Sequence, residues 1–370
     1  MRKIILTVTN DLSYDQRMQR ICSSLAAAGF EVELVGRLRP RSIPLSERPF
    51  RQTRLYCRFE KGKAFYLEYN IRLLFFLLRS KFDILCSVDL DTIAPGWLAG
   101  RLKGASLVFD AHEYFQEAPE VVDRPVIKKI WSLVARLFIP RMDRCYTVGP
   151  ALAEVFGKLY GRPFEVVRNL PLRQKEHYSG QAGTPTILLY QGVLNEGRGL
   201  EALIGVMPAF PDASLWLAGE GDLSAQLRDL VRDLGLEKQV RFLGYIRPEE
   251  LPALTRQATI GFNILENKGL SYYYSLANKA FDYIQAEIPS VHMDFPEYRK
   301  LQEQYGVFHL ISDLKPETLQ SAIRMLLDDH AYADLIRRNC RKAGEELVWE
   351  REEAVLVGVY FGISEDVESL

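Results

Sequence analysis

Residues 258–293 carry the pattern that restricts the fold of this chain most. Thr259 to Leu265 is a short apolar run with β-branched and aromatic residues, which predicts a buried strand. From Ser275, a candidate N-cap, apolar residues recur on one helical face until Pro289 marks the end of the helix. Ser290 to Met293 returns to strand. The stretch therefore predicts a βαβ unit, whose first loop lies at the carboxyl edge of a parallel sheet, where open α/β folds bind ligands.

The start of the predicted helix has the chemistry of an anion site. Its N–H groups from Leu276 to Lys279 are expected to lack helical partners, and the positive end of the helix dipole lies there. Lys279 and Asp282 are three residues apart and share a face, so the cation suits a diphosphate and the carboxylate suits two sugar hydroxyls. An exposed ion pair on a solvated helix is the alternative, and these two residues alone do not separate the two interpretations.

The segment from Leu276 to Ile284, with Ile288-Pro289-Ser290-Val291 after it, resembles the donor-nucleotide motif of GT-B glycosyltransferases. It is most similar to the retaining family four (group 1) in its variant Pro-Asn-Lys-Leu-Phe-Glu-Tyr-Met. In that family two acids separated by seven residues flank the sugar nucleotide. Asp282 matches the second acid, which holds the ribose, but Tyr274 stands in place of the first. Glu287 and Ile288 stand where a Gly usually precedes the Pro turn.

The chain of 370 residues is too long for one ordinary core. The resemblance implies an α/β protein of the GT-B class, with two Rossmann-like domains facing across a cleft. We expect an N-terminal acceptor domain, a linker, a C-terminal nucleotide-sugar-binding domain and a terminal helix that returns to the first domain, at residues 1–167, 168–185, 186–347 and 348–370.

The loop after the first predicted strand, Lys3 to Thr9, lacks the Gly-x-Gly-x-x-Gly turn of nicotinamide enzymes. In GT-B enzymes the equivalent loop often carries a glycine pair near the acceptor. Here polar Asn10, Asp15 and Arg17 take its place, which makes them candidate acceptor residues. Ordinary helix capping by Ser13 or Asp15 is the competing interpretation.

Further polar residues follow the next predicted strands of the first domain. Asp89 stands after one strand, and Asp110-Ala111-His112-Glu113 follows another. The second group resembles the Tyr-Asp-x-His-Glu segment of family four, whose histidine reaches the donor sugar and the acceptor. A single His is more often structural, but the strand-end position favours function. The resemblance thus implies a catalytic His112, with Asp89, Asp110 and Glu113 as acceptor candidates.

The second domain begins with a predicted strand, Thr186 to Gln191, followed by Gly192-Val193 and then Arg198-Gly199. Family members carry a Gly-Arg turn and a later basic-Gly pair whose two cations clamp the diphosphate. Arg198 matches the second cation, and Val193 replaces the first. Our hypothesis is that Lys279 supplies the missing charge. The predicted catalytic residues are therefore His112, Arg198 and Lys279, and the predicted donor-nucleotide residues are Gly192, Asn263, Tyr274, Ser275, Leu276, Asn278 and Asp282.

Charge is spread unevenly. Between Gly36 and Lys63 there are nine basic residues against two acidic ones, a balance of +7 in a chain whose net charge is −1. Such a segment favours an anionic neighbour, and the amphipathic stretch from Pro125 to Arg144 is compatible with a bilayer surface. A membrane-facing segment and a mobile, solvated basic loop both remain open.

The resemblance, which spans essentially the whole chain, implies a hexosyltransferase-like glycosyltransferase that moves a sugar from a UDP- or GDP-linked donor to a glycan or lipid-linked acceptor in polysaccharide or glycoconjugate synthesis. It also implies retention at the anomeric carbon. No metal or cofactor is required, and no nucleic-acid partner is expected. The five cysteines show no metal or redox spacing, so we expect reduced thiols and a cytoplasmic protein, peripheral on the inner face of an anionic membrane. The alternatives are a non-catalytic nucleotide-sugar-binding protein, an inverting transferase or an epimerase.

Overall fold

The computed structural model describes residues 1–13, 15–40, 42–174 and 185–368. These residues form two compact units: unit 1 is Met1–Asn169 with Glu352–Leu370, and unit 2 is Leu170–Arg351. Much of the predicted linker, at 175–184, lies outside the described residues, as does Arg41 of the basic segment.

Unit 1 is built on a parallel sheet. Its strands are β1 (Lys3–Thr7), β2 (Glu31–Leu38), β3 (Arg51–Tyr56), β4 (Ile84–Val88), β5 (Ser106–Ala111), β6 (Arg144–Thr147) and β7 (Glu165–Val166). Its helices are α1 (Gln16–Ala27), α2 (Gly62–Arg79), α3 (Leu90–Lys103), α4 (Pro119–Val122), α5 (Pro125–Phe138) and α6 (Pro150–Tyr160). Over the described residues the strand order is β3-β2-β1-β4-β5-β6-β7.

Unit 2 repeats the architecture. Its strands are β8 (Thr186–Gln191), β9 (Ala213–Ala218), β10 (Val240–Gly244), β11 (Ile260–Asn263), β12 (Ser290–Met293) and β13 (His309–Ile311). Its helices are α7 (Leu200–Gly205), α8 (Ser224–Asp233), α9 (Leu251–Thr255), α10 (Gly269–Tyr273), α11 (Asn278–Gln285), α12 (Pro296–Tyr305), α13 (Pro316–Asp328) and α14 (His330–Glu346). The described strands run in the order β10-β9-β8-β11-β12-β13, all parallel.

The direction of chain progression reverses once in each sheet, between β1 and β4 in unit 1 and between β8 and β11 in unit 2. Loops at such a switch point diverge to opposite faces and leave a crevice at the carboxyl ends of the strands. The predicted α/β class with two Rossmann-like units is therefore confirmed, and the topology identifies the loops in which to look for a site.

A buried tyrosine holds α11 against the sheet of unit 2. The Tyr283 ring lies flat over β11, and a Cβ on Gly261 would approach it to 2.7 Å. The Tyr283 hydroxyl donates toward the carbonyls of Leu189 and Phe262, each at 3.2 Å. Only glycine leaves room for this ring, and the contact fixes the position of Lys279 one turn earlier in α11.

The last helix, α15 (Trp349–Glu368), packs on unit 1 from Glu352 onward. Arg168 donates to Glu352 through its backbone N–H at 2.7 Å and through its guanidinium at 2.9 Å. Further along, Phe30 and Phe361 pack with ring centroids 5.0 Å apart. These contacts join the end of the chain to the sheet that contains its beginning.

The basic segment is more ordered than the sequence suggested. Residues 51–56 form β3 at the edge of the sheet, whereas residues 42–50, which include Pro44 and Pro49, form neither helix nor strand. Some of its cations form intramolecular pairs: Arg54 is buried against Asp11 at 2.7 Å, and Arg51, whose side chain is 71% exposed, lies 3.4 Å from Glu33. Arg37 is buried with its guanidinium 4.0 Å from the Phe65 ring centroid. The segment therefore presents less free charge than its composition implies.

Candidate functional site

Lys279 brings a buried amine to the switch point of unit 2. The residue is 8% exposed, and its Nζ lies 3.8 Å from the ring centroid of Tyr190 in β8. A Cβ on Gly192 would come within 3.2 Å of the same Nζ. Burial first, and the charge of Arg198 second, lower the pKa of Lys279 well below its ordinary value, against an opposing effect of Asp282. An exposed ion pair, the alternative considered for Lys279 and Asp282, is thereby excluded.

Arg198 supplies a second cation close to the first. It is half-buried after the loop that follows β8, and its Cζ lies 4.8 Å from the ring centroid of Tyr272. Its Nε is buried without a hydrogen-bond partner among the described residues. Within the described residues, neither Arg198 nor Lys279 forms a salt bridge with a carboxylate. Two neighbouring basic side chains without a carboxylate partner favour binding of an anionic ligand.

Asp282 is oriented by a neighbouring strand. Gln191, the last residue of β8, donates from Nε2 to Asp282 Oδ2 at 2.8 Å. The hydroxyl of Thr255 in turn donates to Gln191 Oε1 at 2.8 Å, which sets the amide so that its nitrogen faces the carboxylate. The carboxylate is therefore held in one direction, and it is only partly buried.

The helix begins later than the sequence predicted. It starts at Asn278, and Ser275 is not its N-cap, because the Ser275 hydroxyl donates to the Tyr272 carbonyl at 2.8 Å. The Ala277 N–H, expected to be free, donates to the Tyr298 hydroxyl at 3.0 Å. That bond holds Ala277 extended, at φ −73° and ψ 138°, and delays the helix. The free N–H groups expected from residue 276 onward are thus wrong at Ala277.

The other predicted donor-site residues differ in how deeply their side chains are buried. The Leu276 side chain is buried in the core of unit 2, so only its backbone is available to a ligand. Asn278 is exposed, and Tyr274 is half-buried with its ring 5.1 Å from that of Tyr273. Asn263 is fully buried and contacts His292 Nδ1 through its Nδ2 at 3.2 Å. A direct contact between Asn263 and a nucleotide, as predicted, is not available in this structure.

His112 is the centre of a charged cluster in unit 1. Its Nε2 lies 3.0 Å from Asp110 Oδ2, and its Nδ1 lies 3.7 Å from Asp89 Oδ2. The Asp89 carboxylate also accepts the His112 backbone N–H at 2.9 Å. Burial would lower the pKa of His112, but the two carboxylates outweigh it and raise the pKa to about 9. The imidazole is therefore charged at neutral pH.

The carboxylates around His112 differ in their ionisation. Burial raises the pKa of Asp89 to about 8 and that of Asp91 to about 6, and Asp91 accepts the Thr9 hydroxyl at 2.5 Å. Burial also opposes ionisation of Asp110, but Arg17 and His112 reverse this and lower its pKa. Asp89 has a strained backbone, with φ 56° and ψ 173°, a region that non-glycine residues occupy at a cost of about 1–3 kcal/mol.

Arg17 and Asp110 form a buried pair. Arg17 Nη2 lies 3.0 Å from Asp110 Oδ1, and its Nη1 donates to the Val167 carbonyl at 3.1 Å. Arg17 is 5% exposed and Asp110 is 0% exposed. The prediction that these two side chains touch the acceptor is therefore wrong in this structure, because they lie beneath the surface. They can act on His112, which shares the Asp110 carboxylate.

The remaining acceptor candidates lie at the surface. Asp15 caps α1 by accepting the Met18 N–H at 2.9 Å, as the capping interpretation required, and Asn10 donates to its other oxygen at 2.6 Å. Asn10 and Glu113 are exposed. The acceptor roles of Asn10, Asp15, Asp89 and Glu113 stay predictions.

Sequence reasoning missed the residues that support the predicted ones. Tyr190, Gln191 and Tyr272 contact Lys279, Asp282 and Arg198, respectively. The signal available for the first two was their position at the end of β8, directly before Gly192. No local pattern marks Tyr272, which comes close only through the fold.

Two family models match the chain: "Glycosyltransferase Family 4" at residues 16–170 and "Glycosyl transferases group 1" at residues 173–346. The uncharacterized glycosyltransferase MJ1607 of Methanocaldococcus jannaschii is 25% identical over 207 residues, which are 54% of this chain. The match spans about half, 51%, of the length of that curated relative.

Solved structures resemble the whole chain. A sucrose-phosphate synthase from Thermosynechococcus elongatus superposes with a TM-score of 0.82 at 17% identity, covering 99% of this chain and all of that one. HepE of Anabaena, solved in complex with UDP-glucose, superposes with a TM-score of 0.74 at 14% identity, covering 100% of both chains. With matches to both halves and a shared fold, this protein belongs to the group 1 glycosyltransferases of the GT-B fold.

Proposed function

We propose that this protein transfers a sugar from a UDP- or GDP-linked donor to a glycan or lipid-linked acceptor, with retention at the anomeric carbon, in the synthesis of cell-surface polysaccharide or glycoconjugate. The observation that carries the proposal is the pair of cations in unit 2. Lys279 and Arg198 converge after β8 and form no salt bridge within the described residues. A departing nucleoside diphosphate develops negative charge that such cations stabilise.

Each residue then has a role that follows from its chemistry. Lys279 and Arg198 bind the diphosphate, and the backbone at Gly192 lets the phosphate approach because no Cβ projects there. Asp282, oriented by Gln191, accepts hydrogen bonds from the ribose hydroxyls. His112, held as an imidazolium by its carboxylates, orients the donor sugar or the acceptor in unit 1. HepE binds UDP-glucose, which supports a nucleotide-sugar as donor.

The role of Asp282 is tested by nucleotide binding. Asp282→Ala is expected to weaken UDP or GDP binding by about 1.5–3 kcal/mol, the value of hydrogen bonds to a charged group. Isothermal titration calorimetry measures this directly, with exposed Asp334→Ala as the matched control. Unchanged affinity in Asp282→Ala would remove its ribose role.

The shared diphosphate site is tested by a double-mutant cycle. Arg198→Ala and Lys279→Ala should each lower turnover, and the double variant should lose less than the sum if both side chains contact one diphosphate. Strictly additive losses would count against a shared site.

A non-catalytic nucleotide-sugar-binding protein is the second candidate. It is favoured by Tyr274 and Val193, which stand where the family has an acid and an arginine. Release of nucleoside diphosphate from any donor, dependent on added acceptor, would exclude it. The anomeric configuration of the product, read by NMR, separates a retaining from an inverting transferase, and recovery of an isomerised donor would indicate an epimerase.

The proposal includes a location at the cytoplasmic face of an anionic membrane, where a lipid-linked acceptor would be found. Its support is the basic composition of residues 36–63, in which six cations are exposed: Arg39, Arg48, Arg51, Arg58, Lys61 and Lys63. No helix among the described residues combines the length and hydropathy needed to cross a bilayer.

A further inference from the structure

Three neighbouring helices of unit 1 turn apolar side chains toward solvent. The connections β3-α2-β4, β4-α3-β5 and β5-α5-β6 progress in one direction across the sheet, and right-handed crossovers therefore put all three helices on one face. Aromatic contacts tie them together: Tyr66 to Trp131 at 5.7 Å, and Trp97 to Phe138 at 5.4 Å. We define the outward surface of α2, α3 and α5 as the three-helix face.

The three-helix face carries ten large apolar side chains that solvent reaches. They repeat at helical spacing along each helix, so they form stripes rather than scattered positions. Their exposed fractions are Leu67 66%, Ile71 46%, Phe75 53%, Leu78 38%, Leu98 40%, Leu102 68%, Val126 69%, Ile130 52%, Leu133 67% and Leu137 45%. Single exposed apolar residues need no explanation, but a patch of this extent marks a binding surface.

The charges among these stripes are almost all positive. The three helices contain eight basic residues and two acidic ones. One of the acids, Asp91, is buried, and the other, Glu68, pairs with Arg72 at 2.8 Å. Exposed cations that flank the stripes include Lys63, Arg79, Arg101, Lys103, Lys129 and Arg136.

We propose that the three-helix face docks on an anionic lipid surface, its apolar side chains entering the headgroup region and its cations contacting lipid phosphates. Charge complementarity selects this occupant. A twofold dimer formed through the same face would bring the cations of one copy against those of the other. An anionic bilayer instead attracts the cations through its phosphates and takes up the apolar side chains in its headgroup region.

This inference deepens the proposed function, because it gives a lipid-linked acceptor a membrane on which to meet the enzyme. It also moves the membrane contact away from the basic segment at 36–63, where Arg37 and Arg54 are engaged internally. Binding to vesicles needs neither donor nor turnover, so its failure and a failure of sugar transfer are seen in different assays.

The test is co-sedimentation of the full chain with vesicles of phosphatidylcholine containing phosphatidylglycerol, and with phosphatidylcholine alone. The wild type should pellet with the anionic vesicles, more strongly at low salt. Leu102→Glu combined with Leu133→Glu should reduce partitioning about tenfold or more, since two inserted apolar groups become anions. Leu335→Glu on α14, a leucine 46% exposed, is the matched control and should pellet like the wild type.

Two further measurements test whether the double variant folds and whether the basic segment contributes to vesicle binding. Unchanged circular dichroism and nucleotide binding would show that the double variant folds, as expected for substitutions at sites 68% and 67% exposed. Arg39→Gln with Arg48→Gln should leave vesicle binding within about twofold, whereas a large loss there would return the contact to the basic segment. Failure of the wild type to pellet, or a dimer in solution that Leu102→Glu/Leu133→Glu dissolves, would overturn the proposal.

Discussion

Replacing Lys279 by Met should stabilise the folded protein and weaken nucleotide binding at the same time. The lysine amine is buried at 8% exposure and forms no salt bridge within the described residues. Met has a similar length and no charge, so it can keep the packing against Tyr190 while removing the desolvated group.

The magnitude follows from two opposing effects. A desolvated cation–π contact, here at 3.8 Å, favours the charged amine by about 2 kcal/mol. Desolvation opposes it by several kcal/mol for a buried ion, and desolvation is the largest cause of the lowered pKa of Lys279. We therefore expect Lys279→Met to raise the free energy of unfolding at neutral pH by the excess of the burial penalty over the cation–π contact, on the order of 1–3 kcal/mol.

The pH dependence has a definite sign. Because the pKa of Lys279 is lower in the folded than in the unfolded state, the wild type loses stability as pH falls from above about 10.4 toward the folded pKa. The advantage of Lys279→Met should therefore be largest near neutral pH and small above about pH 10.4. Loss of the amine should also weaken nucleoside diphosphate binding by about 1.5–3 kcal/mol.

Urea denaturation at neutral and alkaline pH measures the first effect, and calorimetry with UDP and GDP measures the second. Lys300→Met, at an exposed position of α12, is the matched control and should change neither quantity. A stability difference between Lys279→Met and wild type that is the same at both pH values would refute the desolvation argument.

Three other substitutions probe the structure around the sites. His112→Gln should lose the stability contributed by the imidazolium; the wild-type advantage, roughly 3 kcal/mol from a pKa raised from 6.5 to about 9, should be full below about pH 6.5 and disappear as pH rises through about 9 in denaturation curves. Glu287 has a φ of 57° and pairs with half-exposed Arg341, so Glu287→Gly should lose the ion pair, relieve the backbone strain and leave the free energy of unfolding little changed. Glu287→Ala keeps the strain and should be less stable than Glu287→Gly by about 1–2 kcal/mol in urea unfolding. Arg17→Met should cost about 3–5 kcal/mol because Asp110 stays buried without its partner, and adding Asp110→Asn should recover part of that loss; no recovery would contradict the pairing.

Local sequence pattern was sufficient to predict the strands and helices, and the sheet edge at which we propose the donor site. The apolar run at 259–265, the helical spacing after it and the strand beginning at Ser290 each depend on near neighbours in sequence, and each element formed close to where it was predicted. The Gly192 turn and Arg198 follow β8 directly, so a strand prediction was enough to bring them to the carboxyl edge.

Other features could be decided only by the fold, because they depend on residues far apart in the chain. The start of α11 moved to Asn278 because Tyr298, 21 residues beyond Ala277, bonds the Ala277 N–H. Asp282 is aimed by Gln191, 91 residues before it.

Burial is the clearest case of what the sequence could not specify. The sequence predicted Arg17 and Asp110 as polar loop residues that contact an acceptor. Asp110 instead lies within β5, and because β5 pairs with a parallel strand on each side, its side chain is in the interior. A buried carboxylate needs a partner, and α1 provides Arg17. By itself the sequence determined which residues are polar, which segments form strands and helices, and the family to which the chain belongs. The tertiary structure decided which of the charged side chains pair with each other inside the protein and which, such as Lys279 and Arg198, form no salt bridge among the described residues, because desolvation and pairing depend on packing between distant segments.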